Sequence, residues 1–438
     1  MKHCSCKTAN NRLKTFEDVE KYLDSLGMFH MELGLERMEK AKFLLGLRFT
    51  CPIFHVVGTN GKGSTATFLH SIALSYGFRA GIFTSPHFVT PLERIKMNDR
   101  LLPKPAWASL VTEATEAVPD LTYFELLTVM SVLAFMYSEP DVLVYEAGLG
   151  AKNDATTALP ANIVVFTPIA LDHTNLLGNT LEEIAEDKSY AIRKGVQAVI
   201  SAPQDSRVEK VLEARAKALN IPFYTLETAP DLPDCMNVIY EGKPQYELGL
   251  KGKHQYINAQ TALLAWYVFC QLYKKPLEEK ALADGLSSAF IPGRFQQIKA
   301  KNDMPALILD GAHNEHSLQS LVSTLESEKI IPSAFIFSCL KDKEPHKLVS
   351  LLESYLKRNN VSVPIFITEI QNNERAMKAD ELAKLFSVPV TVYANLQEVL
   401  QDLPKLVQDK EKPCVICGSL YLLSEFFKQY PEKLQLAY

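Results

Sequence analysis

The stretch Ile53-Phe54-His55-Val56-Val57-Gly58-Thr59-Asn60-Gly61-Lys62-Gly63-Ser64-Thr65 decides how this chain is read. Ile53 to Val57 is a short, mostly apolar run that predicts a strand, and the glycines after it break that strand. From Lys62 to Tyr76 apolar residues recur every three or four positions, which predicts a helix. A strand, a glycine-rich turn and a helix N-terminus together make an anion cradle, because bare backbone N–H groups and the positive end of the helix dipole face the same point. In such a cradle Lys62 neutralises β/γ-phosphate charge, and Ser64 or Thr65 offers a hydroxyl to a phosphate-bound Mg2+. The spacing is not the regular phosphate-loop pattern: Gly58 and Gly61 are closer together, and Gly63 separates Lys62 from Ser64. A chance glycine-rich turn is the competing reading, and the strand before and helix after weigh against it.

Outward from this stretch, short apolar runs alternate with helical patterns. Further strands are predicted at Ala80 to Phe83, Asp141 to Tyr145, Ile163 to Thr167 and Ala198 to Ser201. Helices are predicted at Phe124 to Ser138, apolar nearly all round, and at Leu181 to Arg193. Asn237 to Leu250 alternates and reads as a hairpin turning at Gly242-Lys243, followed by helices at Gln255 to Tyr273 and Leu277 to Ser287. A second series has strands at Ala306 to Leu309, Ala334 to Phe337, Pro364 to Thr368, Val388 to Tyr393 and Cys414 to Ile416. The rhythm predicts an α/β protein: a phosphate-loop-containing, doubly wound, mainly parallel domain over residues 1–292, then a smaller Rossmann-like α/β domain over 293–438.

With 438 residues, 47% of them hydrophobic, the chain can build two substantial cores. A formal net charge of -5 gives no basic face for nucleic acid, so any anionic ligand must be held locally. The eight cysteines are scattered without a disulfide-like pattern, and Met1-Lys2-His3-Cys4-Ser5-Cys6 opens no apolar secretory stretch. No run is long enough to cross a membrane, so a cytoplasmic, monomeric protein is expected. Cys414-Val-Ile-Cys417 could be a metal or redox pair; set in an apolar run without nearby histidines, it reads as a buried strand.

Ligands of open α/β sheets sit beyond the carboxyl ends of the strands. Four more polar clusters follow strands here. Thr84-Ser85-Pro86-His87, with Glu93-Arg94-Ile95, could supply a hydroxyl from Ser85, or be a plain Ser-Pro turn. Glu146-Ala-Gly-Leu-Gly150 places a carboxylate where nucleotide enzymes hold Mg2+. Leu171-Asp172-His173-Thr174 offers an acid and an imidazole for a second divalent ion, or a capped turn. Asp310-Gly-Ala-His313-Asn314 is ordinary turn chemistry apart from His313.

The ordered series resembles the folylpolyglutamate synthase/dihydrofolate synthase branch of the Mur ligases. It runs from Leu33-Gly34-Leu35-Glu36-Arg37 through the phosphate loop, Thr84 to His87, Glu93 to Ile95, Tyr123-Phe124-Glu125, Glu146 to Gly150, Leu171 to Thr174 and Pro292-Gly-Arg294-Phe295 to Asp310-Gly-Ala-His313-Asn314. The resemblance implies transfer of the ATP γ-phosphate to a substrate carboxylate and attack of L-glutamate on the acyl phosphate. It implies ATP contacts from Thr59, Asn60, Gly61, Lys62, Gly63, Ser64, Asn258, Arg294, Asp310 and His313. One Mg2+ would fall to Ser64, Ser85 and Glu146, and a second to His173. Lys62, His173 and Lys188 would be catalytic, with Lys188 carbamylated and so able to bind Mg2+; its local sequence alone reads as a surface helix lysine. Dihydropteroate or a reduced folate would meet Leu33, Gly34, Leu35, Thr122, Tyr123, Phe124, Glu125, Asn153, Asp154 and Ala155. Two stretches depart from the family pattern: Lys152-Asn153 stands where Arg-Leu is usual, and Tyr190 where glycine is usual. A Mur-type ligase acting on a peptidoglycan precursor is one rival, although about 50 residues before the first strand cannot build its extra substrate domain. An ATP-hydrolysing switch protein is another, and it leaves Phe124-Glu125, His173 and the second-series cluster without a role.

Overall fold

A computed structural model describes residues 13–435 except 29, 31 and 241, so Cys4 and Cys6 lie outside the described residues. The first sheet holds β1 (Ile53–Val57), β2 (Ala80–Phe83), β3 (Ile95–Met97), β4 (Arg100–Leu101), β5 (Val142–Glu146), β6 (Ile163–Phe166), β7 (Ala198–Ser201) and β8 (Phe223–Tyr224). Their order is β4-β3-β2-β5-β1-β6-β7-β8, parallel except for β3 and β4. β1 is central and buried along its whole length, as its unbroken apolar character requires.

Helices Lys62–Ser75, Lys253–Tyr273 and Glu279–Ser288 cover one face, packing on Phe54, Val56, Ile82 and Val144. On the other face, Phe16–Leu26, Glu36–Leu44, Lys104–Ala117 and Tyr123–Ser138 cover Phe83, Leu143 and Tyr145, while Leu181–Ser189 and Ser206–Ala218 cover Val164, Phe166 and Val199. The N-terminal residues therefore form two helices that complete this layer.

The expected hairpin is present but short: β9 (Ile239–Tyr240) pairs with β10 (Lys243–Pro244) over two residues each. The alternation beyond it serves burial, since Tyr246, Leu248 and Leu250 insert singly into the core. The second sheet holds β11 (Gln296–Ile298), β12 (Leu307–Leu309), β13 (Ala334–Phe337), β14 (Ile365–Thr368), β15 (Thr391–Tyr393) and β16 (Cys414–Cys417), in the order β11-β12-β16-β13-β14-β15. All its pairs are parallel except β11 with β12. This doubly wound α/β fold is the one expected from the sequence.

Two of the boundary differences, and two added strands, have clear physical reasons. β15 starts at Thr391 instead of Val388, because Pro389 has no N–H to give a sheet. The helix expected to reach Arg193 ends at Ser189, after which Tyr190, Ala191 and Ile192 bond three residues back in a tightened turn. β3 and β4 were not expected; Asn98 and Asp99 both adopt left-handed φ (51° and 59°), the two-residue turn that joins such strands. Cys414 and Cys417 are fully buried in β16, with burial pushing both thiols up, so the pair packs the sheet.

The two sheets meet through the segment around Gly293. Phe88, in the loop after β2, packs edge-on against Phe427 of the C-terminal half with centroids 5.1 Å apart.

Candidate active site

The phosphate loop is shaped by contacts from two directions. Thr59 and Asn60 each donate a backbone N–H to the Pro168 carbonyl after β6, at 3.1 Å. Gly61 takes a left-handed φ of 83° as the residue before the helix, and a Cβ there would meet Asn258 Oδ1 at 2.1 Å. Asn258 is itself buried and donates Nδ2 to Gln255 at 2.9 Å, so helix Lys253–Tyr273 backs the loop.

Gly63 brings the helix start over Glu146 at the end of β5: a Cβ on Gly63 would lie 3.4 Å from Glu146 Oε1. Glu146 is buried, and its Oε2 accepts the Ser85 N–H at 3.0 Å. Burial raises its pKa, opposed by Lys62, the Ser85 N–H, Arg294 and Arg94 in that order. Arg294, just before β11, thus projects its charge into the first sheet's site.

Lys188 is only 3% exposed and donates Nζ to the Gly58 carbonyl at 2.9 Å. This corrects the surface-lysine reading: Lys188 falls on the same inward face of its helix as Ile184 and Ala185. Burial, then Lys62, lowers the Lys188 pKa to about 7, with Asp187, Asp154 and Asp172 opposing. Gly58, Thr59, Lys62, Asp172, His173 and Lys188 line one small cleft with the 148–150 turn.

His173 adopts φ 48° and is half exposed, 3.8 Å from the Asp172 carboxylate. Burial lowers its pKa, and Lys343, Lys62 and Lys188 lower it further against Asp172, which favours the neutral ring. His313, with Nδ1 2.8 Å from the Gly311 carbonyl, feels Lys343 and Asp172 in turn, which sets the second sheet's cluster opposite the first sheet's. The Asp310 carboxylate accepts the Phe295 N–H at 2.8 Å and the Ala312 N–H at 2.9 Å, holding the turn that carries Arg294.

The expected pterin residues are less uniformly gathered. Phe124 packs against Phe83 and borders Gly148, and Tyr123 lies under the Arg94 guanidinium. Thr122 and Glu125 form the capping box of helix Tyr123–Ser138, and Glu125 also takes two hydrogen bonds from Arg37. Ala155 is buried, Asn153 is exposed, and Leu33 is 74% exposed beside Gly34 and Leu35. The two departures noted in the sequence meet each other, with Lys152 Nζ 5.2 Å from the centre of the Tyr190 ring.

Two site-facing cations were missed. Arg94 is 4% exposed, donates Nε to the neutral His87 ring at 2.9 Å and sits over Tyr123, without a carboxylate at ion-pair distance among the described residues. Glu93 fixes the preceding loop by accepting from the N–H groups of Phe88, Val89 and Thr90. The quoted Glu93-Arg94-Ile95 contained this signal, since a charged pair opening an apolar strand needs buried partners. Lys343 carried no comparable local signal.

The donor set fits Mg2+. Among the described residues no three His, Cys, Asp or Glu side chains gather as a metal cage, whereas Glu146 keeps one oxygen without a protein donor and the Thr65 hydroxyl is buried without a partner. One carboxylate with hydroxyls, water and phosphate oxygens is how Mg2+ is usually held.

Phosphate loop, strand-end carboxylate and facing second sheet together define a Mur-ligase-type nucleotide enzyme, and a Mur ligase middle domain model matches residues 56–266. A model for the C-terminal domain of dihydrofolate synthetase matches residues 294–429. The chain is 33% identical over 317 residues to dihydrofolate synthase/folylpolyglutamate synthase of Escherichia coli, covering 70% of this chain and 71% of that one. It is 29% identical to the Bacillus subtilis protein of the same description, over 94% of this chain and 99% of the relative. E. coli FolC in complex with DHPP and ADP superposes with a TM-score of 0.78 at 26% identity, over 96% of this chain and 98% of that chain. A bifunctional folylpolyglutamate synthase/dihydrofolate synthase with Mn, AMPPNP and L-glutamate bound gives 0.78 at 26% identity, over 95% and 98%. The chain belongs to the dihydrofolate synthase/folylpolyglutamate synthase family.

Proposed function

We propose that this chain is an ATP-dependent acid–amino-acid ligase that joins L-glutamate to a pterin-linked carboxylate, either dihydropteroate or a reduced folate, with release of ADP and phosphate. The observation that carries the reading is the convergence of Lys62, Glu146 and Lys188 at adjoining strand ends, with Arg294 reaching in from the second sheet. A carboxylate is a poor electrophile at neutral pH, so it must first be phosphorylated, and that chemistry needs positioning and charge stabilisation more than proton transfer.

In this reading Lys62 and the 58–63 backbone hold the phosphates, and Asn258, packed beside Gly61, completes the nucleotide site. Glu146, with the Ser64 and Ser85 hydroxyls, holds one Mg2+, and His173 with Lys188 a second. Mg2+ supplies charge neutralisation at the transferring phosphoryl group. Lys188, with its pKa lowered to about 7, has a substantial neutral-amine fraction that can attack CO2, and its carbamate would turn a repelling cation into an oxygen ligand. Asp310 and His313 shape the facing wall, and Tyr123 and Phe124 the pterin side.

The domains divide at 292/293, so the nucleotide sits between them. Six described cysteines are free thiols, in keeping with a reducing cytoplasm, and we take the enzyme to act there as a monomer.

The test is ADP release from purified protein with ATP, Mg2+ and L-glutamate, comparing dihydropteroate, tetrahydrofolate and a peptidoglycan precursor. Stimulation by a pterin substrate is expected. Stimulation by neither pterin overturns the reading.

A further inference from the structure

We propose that His55 is a positioning residue that holds the 148–150 turn against Lys188 through a buried hydrogen-bond chain running by way of Thr156 and Asp154. The proposal rests on the ligase reading for its kinetic arm only.

His55 sits in the middle of β1, paired with Tyr145 on one side and Val164 on the other, and is 2% exposed. An imidazole in the floor of an apolar sheet is costly unless it is hydrogen-bonded. Its Nε2 lies 2.8 Å from Thr156 Oγ1. Thr156 Oγ1 in turn lies 2.5 Å from Asp154 Oδ1. A carboxylate only accepts, so the single Thr156 proton points at Asp154, and His55 must donate Nε2–H to the Thr156 oxygen. Direction and tautomer are therefore fixed along the chain.

Asp154 spends its remaining capacity on backbone. Oδ1 also accepts the Thr156 N–H at 3.0 Å, and Oδ2 accepts the Leu149 N–H at 2.8 Å. Leu149 lies between the glycines that line the cleft beside Lys188. Burial works against the charged Asp154, and the Thr156 hydroxyl is the largest effect opposing it. A hydroxyl that accepts from His55 donates more strongly to the carboxylate. His55, which touches no substrate in this arrangement, thus reaches the site through three bonds and orients the wall facing Lys188.

The experiment compares His55→Leu, Thr156→Val, the double variant and His55→Gln, whose amide can replace the imidazole Nε2–H. Amide hydrogen exchange of the 147–151 segment is read first, because it does not depend on turnover. Exchange there is expected to rise in His55→Leu and Thr156→Val and to stay near wild type in His55→Gln. In pterin-dependent ADP release, each single variant is expected to lower kcat by roughly tenfold with KM for ATP nearly unchanged, and the double variant by no more, as residues of one network do. Wild-type protection of 147–151 in both single variants overturns the proposal. So does multiplicative loss in the double variant, or failure of His55→Gln to do better than His55→Leu. Wild-type protein inactive with either pterin would strike the functional reading alone and leave the exchange result to decide.

Discussion

The Lys188 ammonium nitrogen lies 2.9 Å from the Gly58 carbonyl oxygen, so the last turn of one helix is tied to the first residue of the phosphate loop. The same lysine is buried, and Lys62 repels its proton. Its pKa in the folded chain is lowered to about 7 from an ordinary 10.5. Between those values the unfolded chain carries a proton that the folded chain lacks, so stability from this site rises with pH across that window and is lost as pH falls through about 7. Urea unfolding as a function of pH should show that slope in wild type and a flatter one in Lys188→Met. In turnover, Lys188→Ala should lose at least roughly 100-fold in kcat, with partial recovery from added acetate or formate. Undiminished turnover would remove the carbamate from the mechanism.

Glu146 couples site charge to core cost. Glu146→Gln should lower kcat by roughly 10² to 10³ and raise the Mg2+ needed for half-maximal rate, because the hydroxyls around it carry no charge. Thermal unfolding should not worsen, since a buried carboxylate is replaced by a neutral amide. A lower Tm with normal Mg2+ dependence would make Glu146 structural.

Arg37 and Glu125 make a different kind of test. Arg37 donates Nε to one Glu125 oxygen at 2.8 Å and Nη2 to the other at 3.0 Å, where the carboxylate is nearly buried. Arg37→Ala should cost about 3 kcal/mol in unfolding free energy by leaving that carboxylate unpaired. Denaturant titration checks it, and KM for ATP should not change.

Arg94 carries a buried charge opposite a neutral imidazole and an aromatic face. Arg94→Lys keeps the charge but loses the planar fork, and should raise KM for the pterin substrate by roughly tenfold while sparing KM for ATP. Equal losses for both substrates would make it a packing residue.

The parts of the molecule legible in its sequence were those set by local chemistry. The unbroken apolar run of β1 and the Gly58–Thr65 loop announced the parallel sheet and the cradle, and Glu146 and Asp310 stand at strand ends where the βα rhythm put them. Features made by long-range contact were not legible. Lys188 carries the charge expected of a surface residue, and it is buried because it shares a helix face with Ile184 and Ala185 that packs inward. The tie from Asp154 to Leu149 depends on a loop folding back, and β11 finds its partner only once the second sheet exists. Resemblance supplied the lysine before geometry did.

Phe88 and Ser85 belong to one short loop, the first seated on Phe427 of the C-terminal half and the second bonded to Glu146. Glu93 gathers three N–H groups of that loop, so it behaves as a stiff strut. Displacing Phe427 would therefore be felt at the Glu146 carboxylate. The Glu146 carboxylate is in this sense tied to the packing of the C-terminal half through four residues of backbone.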